Sequence, residues 1–210
     1  MSNGFTLGAE EAAADPMEQF RVWLDAARQA MGVPDDTMVL ATATPEGRPS
    51  ARAVLLRGLD AEGLVFFTDT RSRKGAELAA NPRGALVFVW TPLERQVRVE
   101  GPVTLVAGAE ADAYFANRPR GHRLAAWASH QSQPVETRAE LEARMRSLDE
   151  EYRGRVVPRP PYWGGYRLRP TEWEFWQGRE NRVHDRIAYH RAGRGRRHED
   201  PAWQRVRLSP

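Results

Sequence analysis

The strongest constraint on this chain is that its apolar runs are of strand length and are joined by turns too short to hold a helix. Residues 37–70 read TMVLATAT, PEGRPS, ARAVLLRGL, DAEG and LVFFTDT. Runs rich in Val, Leu, Phe and Thr, punctuated by Gly, Pro and Asp, are strand and turn signals. Connections this short return the chain antiparallel, because a parallel partner needs a much longer crossover. The segment is therefore expected to be a three-strand meander. ALVFVWT and the alternating RQVRVEGPVTLV add two strands, and YRLRPTEWEFWQG, RIAYHR and WQRVRLSP supply the rest.

Helical signals sit around these strands. Asp15-Pro16-Met17-Glu18 is a helix start, with a capping Asp and Pro in the first turn. Phe20, Trp23, Leu24 and Ala27 form one apolar face, and Gly32 and Pro34 are expected to end the helix. SRKGAELAANP reads as a short helix. Residues 108–117 and 137–151 read as two more, bracketing RPRGHRLAAWASHQSQPVE, which reads as loop-rich. Strands joined by short turns, with helices outside, indicate an α+β protein built on a mainly antiparallel β-barrel with peripheral helices. Residues 1–14 read as a disordered segment and 15–210 as a single domain.

Composition narrows the function classes. There is no cysteine, so disulfide and thiolate chemistry are excluded. No apolar run reaches membrane-spanning length and the N-terminus lacks a secretory pattern, so a cytoplasmic protein is expected. The net charge is only +3, and the basic residues are arginines except for Lys74. Without a clustered basic face interleaved with aromatics, nucleic-acid binding is not favoured. The basic RAGRGRRHED reads as a mobile loop. The five histidines are scattered without metal-ligand spacing, and no serine-hydrolase elbow or phosphate-binding glycine loop occurs.

Several segments carry chemistry. In TDTRSRK, residues 68–74, Ser72 can cap a helix whose first turn then holds Arg73 and Lys74. Cations there oppose the helix dipole. Either that turn is simply solvated, or an anion such as phosphate sits on it. Arg52 and Arg57 lie five apart and face opposite sides of an ideal strand, so only one can share a surface with a given ligand unless the strand bulges. Gln96 begins a strand beside apolar positions, where it either hydrogen-bonds a ligand or faces solvent on a sheet edge. Tyr114 and Arg118 are four apart on an expected helix and share a face, with Arg120 and His122 beyond; they form a solvated helix end or cradle a second anion. In WQGRENRVHDR, residues 176–186, Arg182, His184 and Arg186 alternate and would share one face of an extended chain.

Taken in order, RAVLLR, FFTDTRSRKGAEL, LERQVRVEG, YFANRPR, AWASHQS, YWGGYRL, EFWQGRENRVHDR and the final RLSP resemble the pyridoxamine 5′-phosphate oxidase family, from about residue 15 to residue 210. The resemblance implies a split-barrel domain over 15–210 that forms a homodimer with FMN at the interface. It implies cofactor contacts at Arg52, Ala53, Val54, Leu55, Leu56, Arg57, Phe67, Thr68, Arg73, Lys74, Gln96, Gln131, Ser132, Trp176 and Arg186. Substrate contacts would be Arg57, Tyr114, Arg118, His122, Arg182 and His184, with Arg182 and His184 the catalytic pair.

The implied reaction is oxidation of pyridoxamine or pyridoxine 5′-phosphate to pyridoxal 5′-phosphate. A hydride moves from substrate C4′ to flavin N5, and dioxygen accepts the electrons to give hydrogen peroxide. The chain departs from the family pattern on the substrate side. Arg57 stands where the family carries a lysine, His122 replaces a small serine, and the family's N-terminal substrate segment is not matched. The alternatives are a related flavin oxidase of another aromatic substrate, like the phenazine-pathway enzymes, and a non-catalytic flavin or pyridoxal-phosphate carrier.

Overall fold

The computed structural model describes residues 7, 11–31, 36–191 and 202–210. The expected disorder of residues 1–14, the stop at Gly32 and Pro34, and the loop after Arg191 fall largely outside these residues. Within the N-terminal segment, Ala12 is buried, and the Ala13 carbonyl accepts a 2.8 Å hydrogen bond from the Tyr189 hydroxyl.

The first helix, α1 (Pro16–Met31), starts as its sequence dictates: Asp15 Oδ1 accepts from the Met17 amide at 2.8 Å, and Pro16 occupies the first turn. Then come β1 (Thr37–Ala43), β2 (Pro49–Leu55), β3 (Gly58–Asp60) and β4 (Gly63–Asp69). Helix α2 (Arg73–Ala80) leads to β5 (Arg83–Trp90) and the long β6 (Arg95–Leu105). Helices α3 (Gly108–Ala116), α4 (Arg120–Ala128) and α5 (Arg138–Glu151) follow. The chain closes with β7 (Trp163–Leu168), β8 (Glu172–Gln177), β9 (Asp185–Arg191) and β10 (Trp203–Arg207).

Every strand pairing is antiparallel, and the path runs β10-β9-β8-β6-β5-β1-β2. β6 makes the sheet curl. Its first part pairs β8, from Arg95↔Gln177 to Glu100↔Glu172, and its last part pairs β7, from Val103↔Leu168 to Leu105↔Tyr166. β7 in turn pairs β4, so a second layer folds away from the first at Gly101-Pro102. Only glycine fits at the bend, because a Cβ on Gly101 would lie 1.9 Å from the Arg169 carbonyl oxygen. The result is the split barrel.

α1 seals one opening of this barrel. Phe20 is fully buried, 4.8 Å from the Phe88 ring and 5.3 Å from Trp173, and Trp23 meets Phe175 edge-on at 5.3 Å. Burying each such ring is worth roughly 1.5–3 kcal/mol. No described helix is long and apolar enough to cross a membrane.

The stretch expected to be loop-rich contains α4. Its propensity is unremarkable, but Leu124 and Ala128 fall on one face and are buried there, so tertiary packing makes the helix.

Candidate active site

Strand β4 is buried almost throughout and delivers Thr68 and Asp69 to the start of α2. Ser72 caps α2, its hydroxyl accepting from the Gly75 amide at 3.4 Å and donating to the Asp69 carbonyl at 2.6 Å. A Cβ at Gly75 would sit 2.1 Å from the Thr70 carbonyl oxygen, so this turn is tight enough to require glycine. The cap puts Lys74 inward and buried. Its Nζ donates to Thr68 Oγ1 and Ser72 Oγ, both at 3.1 Å, and to Gln131 Oε1 at 2.7 Å.

None of those three partners is a carboxylate. The nearby Asp69 is engaged by Arg71 through both Nε (3.2 Å) and Nη2 (2.8 Å), and Arg71 itself lies over the Tyr162 ring at 3.2 Å. Burial and the neighbouring Arg52 charge bring the Lys74 ammonium down to about 8, against a smaller opposing pull from Asp69. Its three N–H groups are thus all given to neutral acceptors, which leaves the buried charge without a counter-charge and favours an anion nearby.

Lys74 opens onto a cavity of about 1100 Å³. On one wall β2 contributes Arg52, Ala53, Val54 and Leu55, and Arg57 follows. The expectation that Arg52 and Arg57 face opposite sides is corrected. β2 ends at Leu55 and the chain bends, the Leu56 amide donating to Asp36 and the Arg57 amide to Val65, so both arginines line the same cavity. Leu56 turns into the core instead and is absent from the wall.

An aromatic stack also lines the cavity. Phe67 and Tyr114 are parallel within 3° at 4.0 Å, and Trp163 continues the stack 5.3 Å from Phe67. Arg118 lies just past the end of α3, its guanidinium 4.7 Å over Trp163, with a buried Nη1 that has no hydrogen-bond partner. Burial lowers the Arg118 pKa; Tyr114 opposes this and Arg57 adds to it. His122, Arg73, Gln131 and Ser132 also line the cavity.

The remaining predicted residues form a second group on a different part of the sheet. Register places Gln96 beside Trp176 and Trp176 beside Arg186. Gln96 is therefore not at an edge: β6 is paired on both sides, with Val89 its other neighbour. The His184 ring is 4.6 Å from Trp176, and its Nδ1 accepts from the Arg179 amide at 3.1 Å. Arg186 is fixed by Glu174 Oε1 and the Ser209 carbonyl, both at 2.8 Å.

The expected alternation of Arg182, His184 and Arg186 is corrected here. Residues 180–182 form a turn of 3-10 helix in which Asn181 and Arg182 have φ of 57° and 62°, and extended structure resumes only at Asp185. None of Gln96, Trp176, Arg182, His184 or Arg186 lines the first cavity. One chain thus carries two separate half-constellations.

Sequence reasoning missed Trp163, Asp69 and Glu77. Only Glu77 had a local signal, its i,i+4 spacing from Arg73.

Comparison with known proteins identifies the family. Residues 24–152 match the pyridoxamine 5′-phosphate oxidase family model, and residues 163–210 match the pyridoxine 5′-phosphate oxidase C-terminal dimerisation region. The chain is 55% identical over 204 residues to the pyridoxine/pyridoxamine 5′-phosphate oxidase of Rubrobacter xylanophilus, covering 97% of this chain and 91% of that protein. Its identity to the enzyme of the same name from Cupriavidus metallidurans is 54%, covering 97% and 93%. Among solved structures, PhzG from Burkholderia lata, in complex with tetrahydrophenazine-1-carboxylic acid, superposes with a TM-score of 0.89 at 30% identity, covering 99% of this chain and 98% of that one. A pyridoxamine 5′-phosphate oxidase-related, FMN binding protein from Nostoc punctiforme shares the fold at 20% identity and a TM-score of 0.69. With the two family regions spanning nearly the whole fold, and with such close relatives, this chain belongs to the pyridoxamine 5′-phosphate oxidase family.

Proposed function

We propose that the protein is an FMN-dependent oxidase that converts pyridoxamine and pyridoxine 5′-phosphates to pyridoxal 5′-phosphate and hydrogen peroxide, with dioxygen as electron acceptor. The observation that carries this reading is Lys74, a buried ammonium with only neutral partners at the N-terminus of α2. The site fits FMN: Lys74, Arg73 and Arg52 would take its phosphate, and Ala53 to Leu55, Phe67, Thr68, Gln131 and Ser132 would hold the rest. Bound there, FMN supplies the two-electron redox chemistry.

The chain's own groups then bind and orient the substrate. Arg57, Arg118 and His122 present cationic or hydrogen-bonding groups to one phosphate, and Tyr114 brings its ring alongside. The unpartnered Arg118 Nη1 is a donor that such a phosphate satisfies. Arg182 and His184 serve as the catalytic pair, Arg182 by holding the reacting carbon in place and His184 by hydrogen-bonding the substrate.

The second group reaches a cavity by dimerisation, so that each FMN site is completed by Gln96, Trp176, Arg182, His184 and Arg186 from the other copy. An apolar sheet face supports this. Leu55, Val39 and Val89, on three adjacent strands, share one face and are 43%, 38% and 56% exposed. A face of this kind favours association.

The test is to identify the flavin in purified protein and mix the holoenzyme anaerobically with each 5′-phosphate ester. Bleaching of the flavin, then peroxide when air is admitted, is the expected result. FMN that stays oxidised with both esters would move the substrate to another aromatic class, such as the unphosphorylated ring in the PhzG complex.

A further inference from the structure

We infer that Glu77, which does not line the cavity, is the positioning residue that aims Arg73 at the anion and pins Arg52 beside it. The inference rests on the reading that this cavity holds the FMN phosphate. Glu77 lies on the buried face of α2 and is absent from the cavity wall, whereas both arginines line it. Its Oε2 accepts from Thr42 Oγ1, from Ser50 Oγ at 2.6 Å and from Arg52 Nη2 at 3.3 Å, while its Oε1 accepts from Arg73 Nε at 2.9 Å. The two oxygens are thus divided between two guanidinium groups on different elements, β2 and α2.

The arrangement has a direction. Arg52 spends its bonds on the protein side, donating also to Thr42 Oγ1 at 2.6 Å, to Ser50 Oγ and to the Leu40 carbonyl at 3.3 Å. Arg73 uses only Nε in its contact with Glu77, and its side chain is 62% exposed. An arginine tethered by Nε keeps both Nη groups available to an oxyanion, in a fork that the tether orients. A carboxylate beside an anion site would ordinarily repel the ligand. Here burial raises the Glu77 pKa, but bonds from Ser50, Thr42, Arg73 and Arg52 outweigh it and hold the carboxyl at about 2. With Lys74 counted, and with the lining Asp69 paired to Arg71, three cations stand against the ionised Glu77, so the pocket stays net positive.

The distinguishing measurement is the preference of apo-enzyme for FMN over riboflavin, which lacks the phosphate. Glu77→Gln keeps the size of the side chain but sets an NH₂ group against one arginine. It should lower the FMN-to-riboflavin preference by roughly tenfold, the value of one charge-assisted bond, while riboflavin affinity holds. A general loosening of the fold would weaken both ligands together, leaving the preference intact, and would overturn the inference. If Glu77→Gln does not fold, Glu77→Asp carries the same test: its carboxylate, one methylene shorter, cannot span both arginines, and an undiminished preference refutes the role. A wild-type protein that does not prefer FMN to riboflavin would instead overturn the placement of the phosphate itself.

Discussion

Replacing Lys74 with methionine keeps most of the buried stem and removes the charge, which isolates what the ammonium contributes. A hydrogen bond to a charged partner is worth about 1.5–3 kcal/mol. At about 1.4 kcal/mol per decade, Lys74→Met should raise the Kd for FMN by roughly 10- to 150-fold. The same structure predicts a pH signature. Burial brings the ligand-free ammonium to about 8, so below that pH Lys74 is charged and ready, and above it anion binding must take up a proton. The wild-type Kd should therefore rise by up to about tenfold per pH unit above pH 8, and the Lys74→Met curve should be flat over that range. The assay is quenching of FMN fluorescence on titration with apo-enzyme between about pH 7 and 9.5, with riboflavin as the phosphate-free control. An unchanged Kd at pH 7, or the same alkaline slope in the variant, would refute the phosphate role of Lys74.

Other perturbations test other parts of the molecule. Arg182→Ala should slow anaerobic flavin reduction by roughly 10²-fold through lost positioning, with FMN affinity unchanged; reduction at the wild-type rate would remove Arg182 from the reaction. Gly75→Ala forces a Cβ to within 2.1 Å of the Thr70 carbonyl oxygen, so α2 must shift. Its melting temperature should fall by several degrees, roughly 2 kcal/mol or more of lost stability, and its FMN should be lost readily on gel filtration. Glu77 is held at about 2 from an ordinary 4.5, so its stabilisation is complete above 4.5 and is lost as pH falls toward 2. Acid unfolding of the apo-protein should therefore steepen in that window, by an amount on the order of 3 kcal/mol, and Glu77→Gln should flatten it.

What the sequence disclosed and what it hid follow a physical division. The start of α2 was legible because capping is local: Ser72, Arg73 and Lys74 determine one another's places within a turn. The strands themselves were legible because alternation and short turns are local too, but the expected three-strand meander of residues 37–70 is corrected: β2 pairs β1, whereas β4 leaves that layer to pair β3 and β7. Contacts distant in sequence were not legible. Gln131 meets Lys74 across 57 residues, and Glu77 meets Thr42 across 35, with no periodicity to join them. Helix α4 escaped notice because its burial, not its composition, makes it a helix. The common face of Arg182, His184 and Arg186 failed for the opposite reason. Two consecutive residues other than glycine with positive φ, Asn181 and Arg182, break the strand period where it had been assumed.

The amide of Arg179 that donates to His184 decides what this imidazole can offer. Because Nδ1 receives a hydrogen, it must keep its lone pair, and the neutral ring carries its own hydrogen on Nε2. His184 therefore presents its Nε2 as a donor of fixed polarity. The backbone has selected the tautomer before any ligand arrives, so a ligand atom opposite Nε2 must be an acceptor. Substrate analogues with a hydrogen-bond donor at that position would be rejected by the Arg179 amide, one contact removed from the ligand.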